Sequence, residues 1–317
     1  MKAKIVSKIN KSNAYFLLFG LMISLSTLKI NAQQLPNYTQ YLYNMQIINP
    51  AFVGYRADLS MSVLSRDQWV GLEGAPTTRT FSINGRTKRG LGIGATIVND
   101  KIGLTETRNV NFDASYTLVI SDASRLSFGL KGGMTFFNNN LFDGITIDNE
   151  SYASTSGIFP NVGFGALYYN QDFYVGLSVP YLLETPQFYI EDRFKQTSLA
   201  TNPNVFLSTG ALFRLSQSIL FKPSTMVRYT TNQPVSMDVN ANFLYNEVIE
   251  AGLSYRHQSS VSALFTLVIH EKYRIGYAYD YKTLNVSGNL NTHEFILHVD
   301  LDFGQNSRWL MRNKCYF

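Results

Sequence analysis

The sequence predicts an all-β fold: an antiparallel transmembrane β-barrel of about 14 strands, with a short N-terminal periplasmic or plug segment. Three observations predict it. The chain opens with an export signal. Apolar and polar residues then alternate with a period of two in one segment after another. The connections between those segments are tight at one end and often long at the other.

Residues 1–32 read as a secretory signal peptide. Lys2, Lys4, Lys8 and Lys11 give a positive start, an apolar run extends from Ala14 to Leu28, and Asn31-Ala32 offers a small residue at the cut. The run is shorter than the ~20 residues a membrane helix needs, so cleavage after Ala32 is expected and the mature chain starts at Gln33. Residues 1–32 hold five of the chain's 27 basic residues and no acid, which leaves 22 basic against 22 acidic. The basic character thus belongs to the discarded part, and no nucleic-acid partner is expected. Charged residues are 15% of the chain and aromatics 14%, nearly all Tyr and Phe, as suits an exported protein with one face in outer-membrane lipid. The single cysteine, Cys315, has no internal disulfide partner and reads as a free tail thiol.

Residues 33–56 form the N-terminal periplasmic or plug segment, 57–303 the barrel, and 304–317 a C-terminal tail. Within the barrel, Val235, Met237, Val239, Ala241, Phe243 and Tyr245 alternate with Ser236, Asp238, Asn240 and Asn242. The same period recurs over Ile249–Arg256, Tyr273–Asp280 and Glu294–Phe303, with Ile296 out of phase. Fourteen strands are expected, starting near Ala57, Thr77, Gly90, Asn109, Arg125, Asn161, Phe173, Val205, Ile219, Val235, Val248, Val261, Tyr273 and His293. Most match the ~9–11 residues of a tilted bilayer-crossing strand. Tight turns follow the even strands, for example at Ser121-Asp122-Ala123 and Asn246-Glu247. Long links, at Asn139–Gly157, Leu182–Asn204 and Lys282–Thr292, follow odd ones. This places the tight turns in the periplasm, and both chain ends are expected on that side. A secreted β-sandwich alternates in the same way. Against it stand charges on the polar face of many strands, among them Arg66, Asp113, Lys131, Arg214, Lys222, Arg228, Asp238, Glu250 and Asp280.

Catalytic chemistry finds little support. No Gly-x-Ser-x-Gly elbow is present, and nothing pairs a nucleophile with a base. His298, Asp300 and Asp302 share one strand face and read as a hydrogen-bonded lumen cluster, with a metal site as the rival reading. Gly90–Gly94 lies in an alternating strand with no helix after it, so it is no phosphate loop. Asp143, Asp148 and Glu150 form an acidic loop without EF-hand spacing. No cofactor, catalytic residue or metal ligand is assigned, and no enzyme is expected.

Two segments depart from ordinary barrel sequence. The first carries Gln40, Tyr41, Asn44, Asn49, Pro50, Ala51 and Gly54; the second carries Arg66, Gln68, Trp69, Val70, Gly71, Gly74, Ala75, Pro76 and Thr78. Asn49-Pro50 disfavours helix. Tyr41, Tyr43 and Phe52 are large apolar groups outside lipid that need cover, from the barrel interior or from a partner. In order and spacing the two segments resemble the signatures of the PorP/SprF family of type IX secretion membrane proteins. The resemblance implies an outer-membrane barrel that works with type IX secretion machinery in gliding or secreting bacteria. Some members associate with the periplasmic ring of that machinery; others are paired with one large secreted surface protein, often an adhesin. On this reading the two segments either plug the barrel or meet a partner. The alternative function is an outer-membrane pore for small solutes.

Overall fold

Strands form where the sequence alternates. The structure, a computed structural model, describes residues 37–87, 89–140, 155–183, 203–231, 233–283 and 291–303. The signal peptide, its cleavage site, the C-terminal tail and most of the three long links lie outside the described residues. In chain order the strands are β1 (Leu59–Asp67), β2 (Thr77–Arg86), β3 (Leu91–Ile102), β4 (Thr105–Ser121), β5 (Ser124–Asn139), β6 (Thr155–Asn170) and β7 (Phe173–Val179). There follow β8 (Val205–Ala211, continued after Leu212 by Phe213–Arg214), β9 (Ile219–Tyr229), β10 (Ser236–Tyr245), β11 (Ile249–Arg256), β12 (Ser260–Ile269), β13 (Tyr273–Lys282) and β14 (Thr292–Leu301). Each pairs antiparallel with its chain neighbours, and β14 returns to β1 from Leu59↔Leu301 to Asp67↔His293. The sheet is therefore a closed 14-stranded barrel with no open edge to satisfy in lipid.

Twelve of the fourteen strand starts fall within two residues of the alternation-based expectation, so alternation locates the lipid-crossing part well. The exceptions are β4 and β6, which start four and six residues early. Their first residues, Thr105–Arg108 and Thr155–Pro160, extend the backbone ladder beyond the alternating stretch. With 17 and 16 residues these strands exceed the ~9–11 a bilayer requires. Lipid imposes the alternation; hydrogen bonding alone sets where pairing stops.

The barrel is apolar outside and polar inside. Ile93, Phe112, Leu130, Leu253 and Phe295 are each more than half exposed on the outer surface, while Ser62, Thr96, Asn111, Asp113, Lys131 and Glu250 are buried within. Arg214 keeps the inward parity of β8, pairing in unbroken register with buried Leu220, but it lies at the tight-turn mouth and is exposed there; Leu212, on the same face, packs towards Leu220 and Leu244.

Residues 37–56 lie inside this wall. They form three short 3-10 turns, Tyr41–Tyr43, Met45–Ile47 and Pro50–Phe52, and no strand. Their partners follow one another along the lumen. Asn37 meets Arg228 at the long-loop end of β9, Gln46 meets Asp113 in the middle of β4, and Gly54 meets Asn84 and Arg86 at the tight-turn end of β2. The segment therefore runs the length of the lumen, from the long-loop mouth to the tight-turn mouth, before β1 begins. Asn37 thus sits opposite the end where the amino-terminal segment was expected. β1 starts at the tight-turn mouth, as alternation predicts, but the chain that leads into it has crossed the barrel first. At the far end of β14 the Phe303 amide donates to Asp58 Oδ2 at 2.8 Å, at the tight-turn mouth.

Candidate functional site

At the long-loop mouth the plug is held by ions that hold each other. Arg66, near the end of β1, is 3% exposed and pairs with Asp280 and Glu294, both at 2.7 Å. Glu294 accepts the backbone amides of Thr39 (3.0 Å) and Gln40 (2.7 Å). The Thr39 hydroxyl accepts from Arg66 at 3.0 Å and donates to Asp280 at 2.8 Å. Beside them Arg256 makes two 2.8 Å bonds to Asp238 and a third to the Tyr38 carbonyl. Burying an isolated charge costs several kcal/mol, so each carboxylate needs its cation, and Glu294 its two amide donors as well.

Deeper in, the first motif explains itself residue by residue. The Tyr41 hydroxyl accepts from Asn240 at 2.6 Å. Ser82 donates to Asn44 Oδ1 at 2.8 Å. Asn49 caps the third turn by accepting the Ala51 amide at 2.9 Å, and its Nδ2 donates to the Ala166 carbonyl of β6. Pro50 starts that turn with the φ it needs. Ala51 is fully buried, and the Pro50–Ala51 backbone lies so close to Gly129 of β5 that a Cβ there would overlap it. Gly54 has φ +67° and donates to Asn84 while accepting from Arg86, so its left-handed conformation turns the chain at the tight-turn mouth. Phe52 packs edge-on against Tyr55 and Tyr174, at 4.9 and 5.7 Å between ring centres. Below, Arg56 and Arg274 both reach Asp300 at 2.6 Å, and His298 meets the same carboxylate. Asp302, expected with them, is exposed.

The second motif divides. Arg66 and Thr78 face inward, the latter fully buried and donating to Asp100 at 2.6 Å. Gln68 to Ala75 form a loop at the long-loop mouth. It is closed by the Gln68 amide on the Pro76 carbonyl and tied to the β3–β4 turn by the Gly103 amide on the Gly74 carbonyl. Gly71 and Gly74 take positive φ, as does Trp69 at +53°. Lys282 lies over the Trp69 ring at 5.4 Å, while Val70 and Leu72 are about half exposed. The acidic partners of Arg66, and the anchoring of the first motif through Glu294, are the site residues that the motifs alone did not name. Their signal in the sequence was an acid at an inward position of β13 and of β14.

A sequence profile described as "Type IX secretion system membrane protein PorP/SprF" matches residues 30–299. The chain belongs to that family. The family and the fold are those of a membrane barrel of secretion machinery, which places the chain in the outer membrane and among type IX components. No curated protein matches. Among solved structures the chain is similar to the Ralstonia pickettii toluene transporter TbuX, at 10% identity over 80% of this chain and 92% of that one, with a TM-score of 0.46. It is also similar to the Acinetobacter baumannii outer membrane protein Omp33, at 7% identity over 78% and 100%, with a TM-score of 0.46. A third is BamA from Haemophilus ducreyi, at 7% identity over 77% and 70%, with a TM-score of 0.41.

Proposed function

We propose that the barrel supports export or surface attachment of a secreted protein, an adhesin in gliding cells, through protein contacts made at its ends, and that it performs no catalysis. The observation that carries this reading is the filled lumen. Residues 38–41 and 43–55 are all buried, and the ion pairs that line the wall are engaged with that segment or with one another. A solute channel needs an open polar path, whereas a partner-binding barrel needs rigid ends. The Trp69 loop supplies one such end: its backbone is fixed at both sides, and it sets half-exposed Val70 and Leu72 beside a partly buried tryptophan, a residue type that often anchors interfaces. The tight turns are taken as periplasmic and the Trp69 mouth as extracellular.

Trp69→Ala tests the reading, because it removes a loop side chain without touching the strand ladder. Surface display of the cognate secreted protein is expected to fall several-fold while the barrel stays heat-modifiable in the outer membrane. Leu253→Ala, on the lipid face, is expected to leave display unchanged. Normal display with Trp69→Ala removes this loop from the partner site. Steady open currents from the wild-type barrel in a planar bilayer would favour the solute pore instead.

A further inference from the structure

We infer that Lys222 and Asn242 become joined by a covalent amide bond inside the lumen, with Glu250 carrying the proton that the reaction moves. The three side chains lie on the consecutive strands β9, β10 and β11, and all three are buried on the inner face. Lys222 and Asn242 are direct cross-strand partners, which sets their Cα atoms about 4.5–5.5 Å apart. Glu250 lies one strand further on, diagonally across from Asn242. Its carboxylate takes one group on each oxygen: Lys222 Nζ donates to Oε2 at 2.8 Å, and Asn242 Nδ2 donates to Oε1 at 2.8 Å. An amine and the amide it would attack are thus held on the two oxygens of one acid. Gly252, the partner of Asn242 on β11, makes room for this, because a Cβ there would overlap the Asn242 amide. From the plug side the Tyr43 ring covers the group, 6.0 Å from Lys222 Nζ.

The contacts are those of the reacting groups before the bond forms. Transfer of the bridging proton from the Lys222 ammonium to Glu250 gives a neutral amine and a neutral acid, and burial disfavours the charged pair that they replace. The amine attacks Asn242 Cγ. The bond from Lys222 Nζ to Cγ forms, and the bond from Cγ to Nδ2 breaks. Glu250 gives the first proton to Nδ2 and takes the second from Nζ, so ammonia leaves and nothing is oxidised or reduced. Fixed orientation supplies the rate, since all three groups are already in contact through one carboxylate. A second buried lysine sets the contrast. Lys131 pairs with Asp113 at 2.7 Å, also as a direct cross-strand partner, but no second carboxylate bonds to that pair among the described residues. It has no proton carrier and stays an ion pair.

The test is a tryptic map of the whole barrel, purified from outer membranes and unfolded by heat before digestion. Trypsin does not cut between Lys222 and Pro223, so Lys222 falls in the peptide Leu215–Arg228 and Asn242 in Tyr229–Arg256. The two peptides are expected to run as one species, at their summed mass less one ammonia. Intact mass alone does not serve, because an amino-terminal glutamine at Gln33 also loses ammonia when it cyclises. Glu250→Gln keeps the size of the side chain and removes the acid. The joined species is then expected to fall by more than about tenfold while the barrel stays heat-modifiable. Lys131 is expected to be cut normally. Two separate peptides from the wild-type barrel overturn the bond, and this holds even where Glu250→Gln does not fold. An undiminished joined species in Glu250→Gln, or a joined Lys131 and Asp113, overturns the part given to Glu250.

Discussion

Replacing Arg66 by methionine keeps the length of the side chain and removes its charge from a site where two carboxylates depend on it. Arg66 is 3% exposed and makes three bonds, to Asp280, Glu294 and the Thr39 hydroxyl, at 2.7, 2.7 and 3.0 Å. Breaking one buried ion pair from the cation side costs about 3–5 kcal/mol, because the partner stays buried and uncompensated. Arg66 serves two carboxylates, so the upper part of that range is expected. The exposed pair between Arg79 and Asp67, at the same 2.7 Å but half exposed, sets the contrast: such pairs are worth about 0.2–1 kcal/mol. The assay is the temperature at which the compact form on a detergent gel gives way to the unfolded form. At roughly 2–4 °C per kcal/mol for a chain of this size, Arg66→Met should lower that temperature on the order of 10 °C, and Arg79→Met by little. Adding Asp280→Asn and Glu294→Gln to Arg66→Met should recover most of the loss, since no buried charge then lacks a partner. A drop no larger than that of Arg79→Met, or a triple variant worse than the single one, would refute the reasoning.

Gly129→Val should displace the plug, because a Cβ at Gly129 overlaps the Pro50–Ala51 backbone; overpacking of this kind costs about 1–3 kcal/mol, and open-channel current in a planar bilayer would report it. Gly132→Ala on the same strand, where an added Cβ meets nothing within 4 Å, is the silent control. Glu247→Gly should raise the same gel transition by about 1 kcal/mol's worth. Asn246 and Glu247 both take positive φ in a two-residue hairpin turn, which an Asn-Gly pair adopts without strain; a lowered transition would show that the Glu247 side chain contributes more than its backbone costs.

The wall was legible because lipid and lumen write opposite demands on alternate residues. Leu253 and Phe295 had to be apolar, and Asp238 and Glu250 had to be polar, once the barrel closed. Legibility failed where neither demand applies. Thr105–Arg108 pair with β5 although Thr-Glu-Thr-Arg carries no apolar alternation, so the start of β4 was read four residues late. Arg214 has the inward phase that alternation gives it, but alternation does not show that the strand ends there and leaves it exposed at the mouth. The course of residues 37–56 was also hidden, since their partners are scattered over most strands of the wall, from Arg66 on β1 to Glu294 on β14. A motif such as Asn49-Pro50-Ala51 states that a cap, a turn and a small residue are needed. It does not state that Gly129 and Ala166 receive them.

Those two kinds of information bear on function differently. The wall pattern would fit any outer-membrane barrel, so it locates the protein without saying what it does. The two motifs carry the specific content, and the structure divides that content by environment. Asn49, Ala51, Arg66 and Thr78 are nearly or fully buried and are already engaged by the wall, so the pattern at these positions is accounted for by holding the plug. Trp69, Val70, Gly71 and Gly74 are not accounted for in that way. The strands would close without them, and Trp69 holds a positive φ that a non-glycine residue adopts at a cost. A strained loop with half-exposed apolar neighbours, fixed by backbone bonds at both sides, is what a partner surface requires and what a plug does not. Substitutions should therefore separate the motifs: changes at Asn49 or Ala51 should lower barrel stability and display of the secreted protein together, while changes at Trp69 should lower display alone.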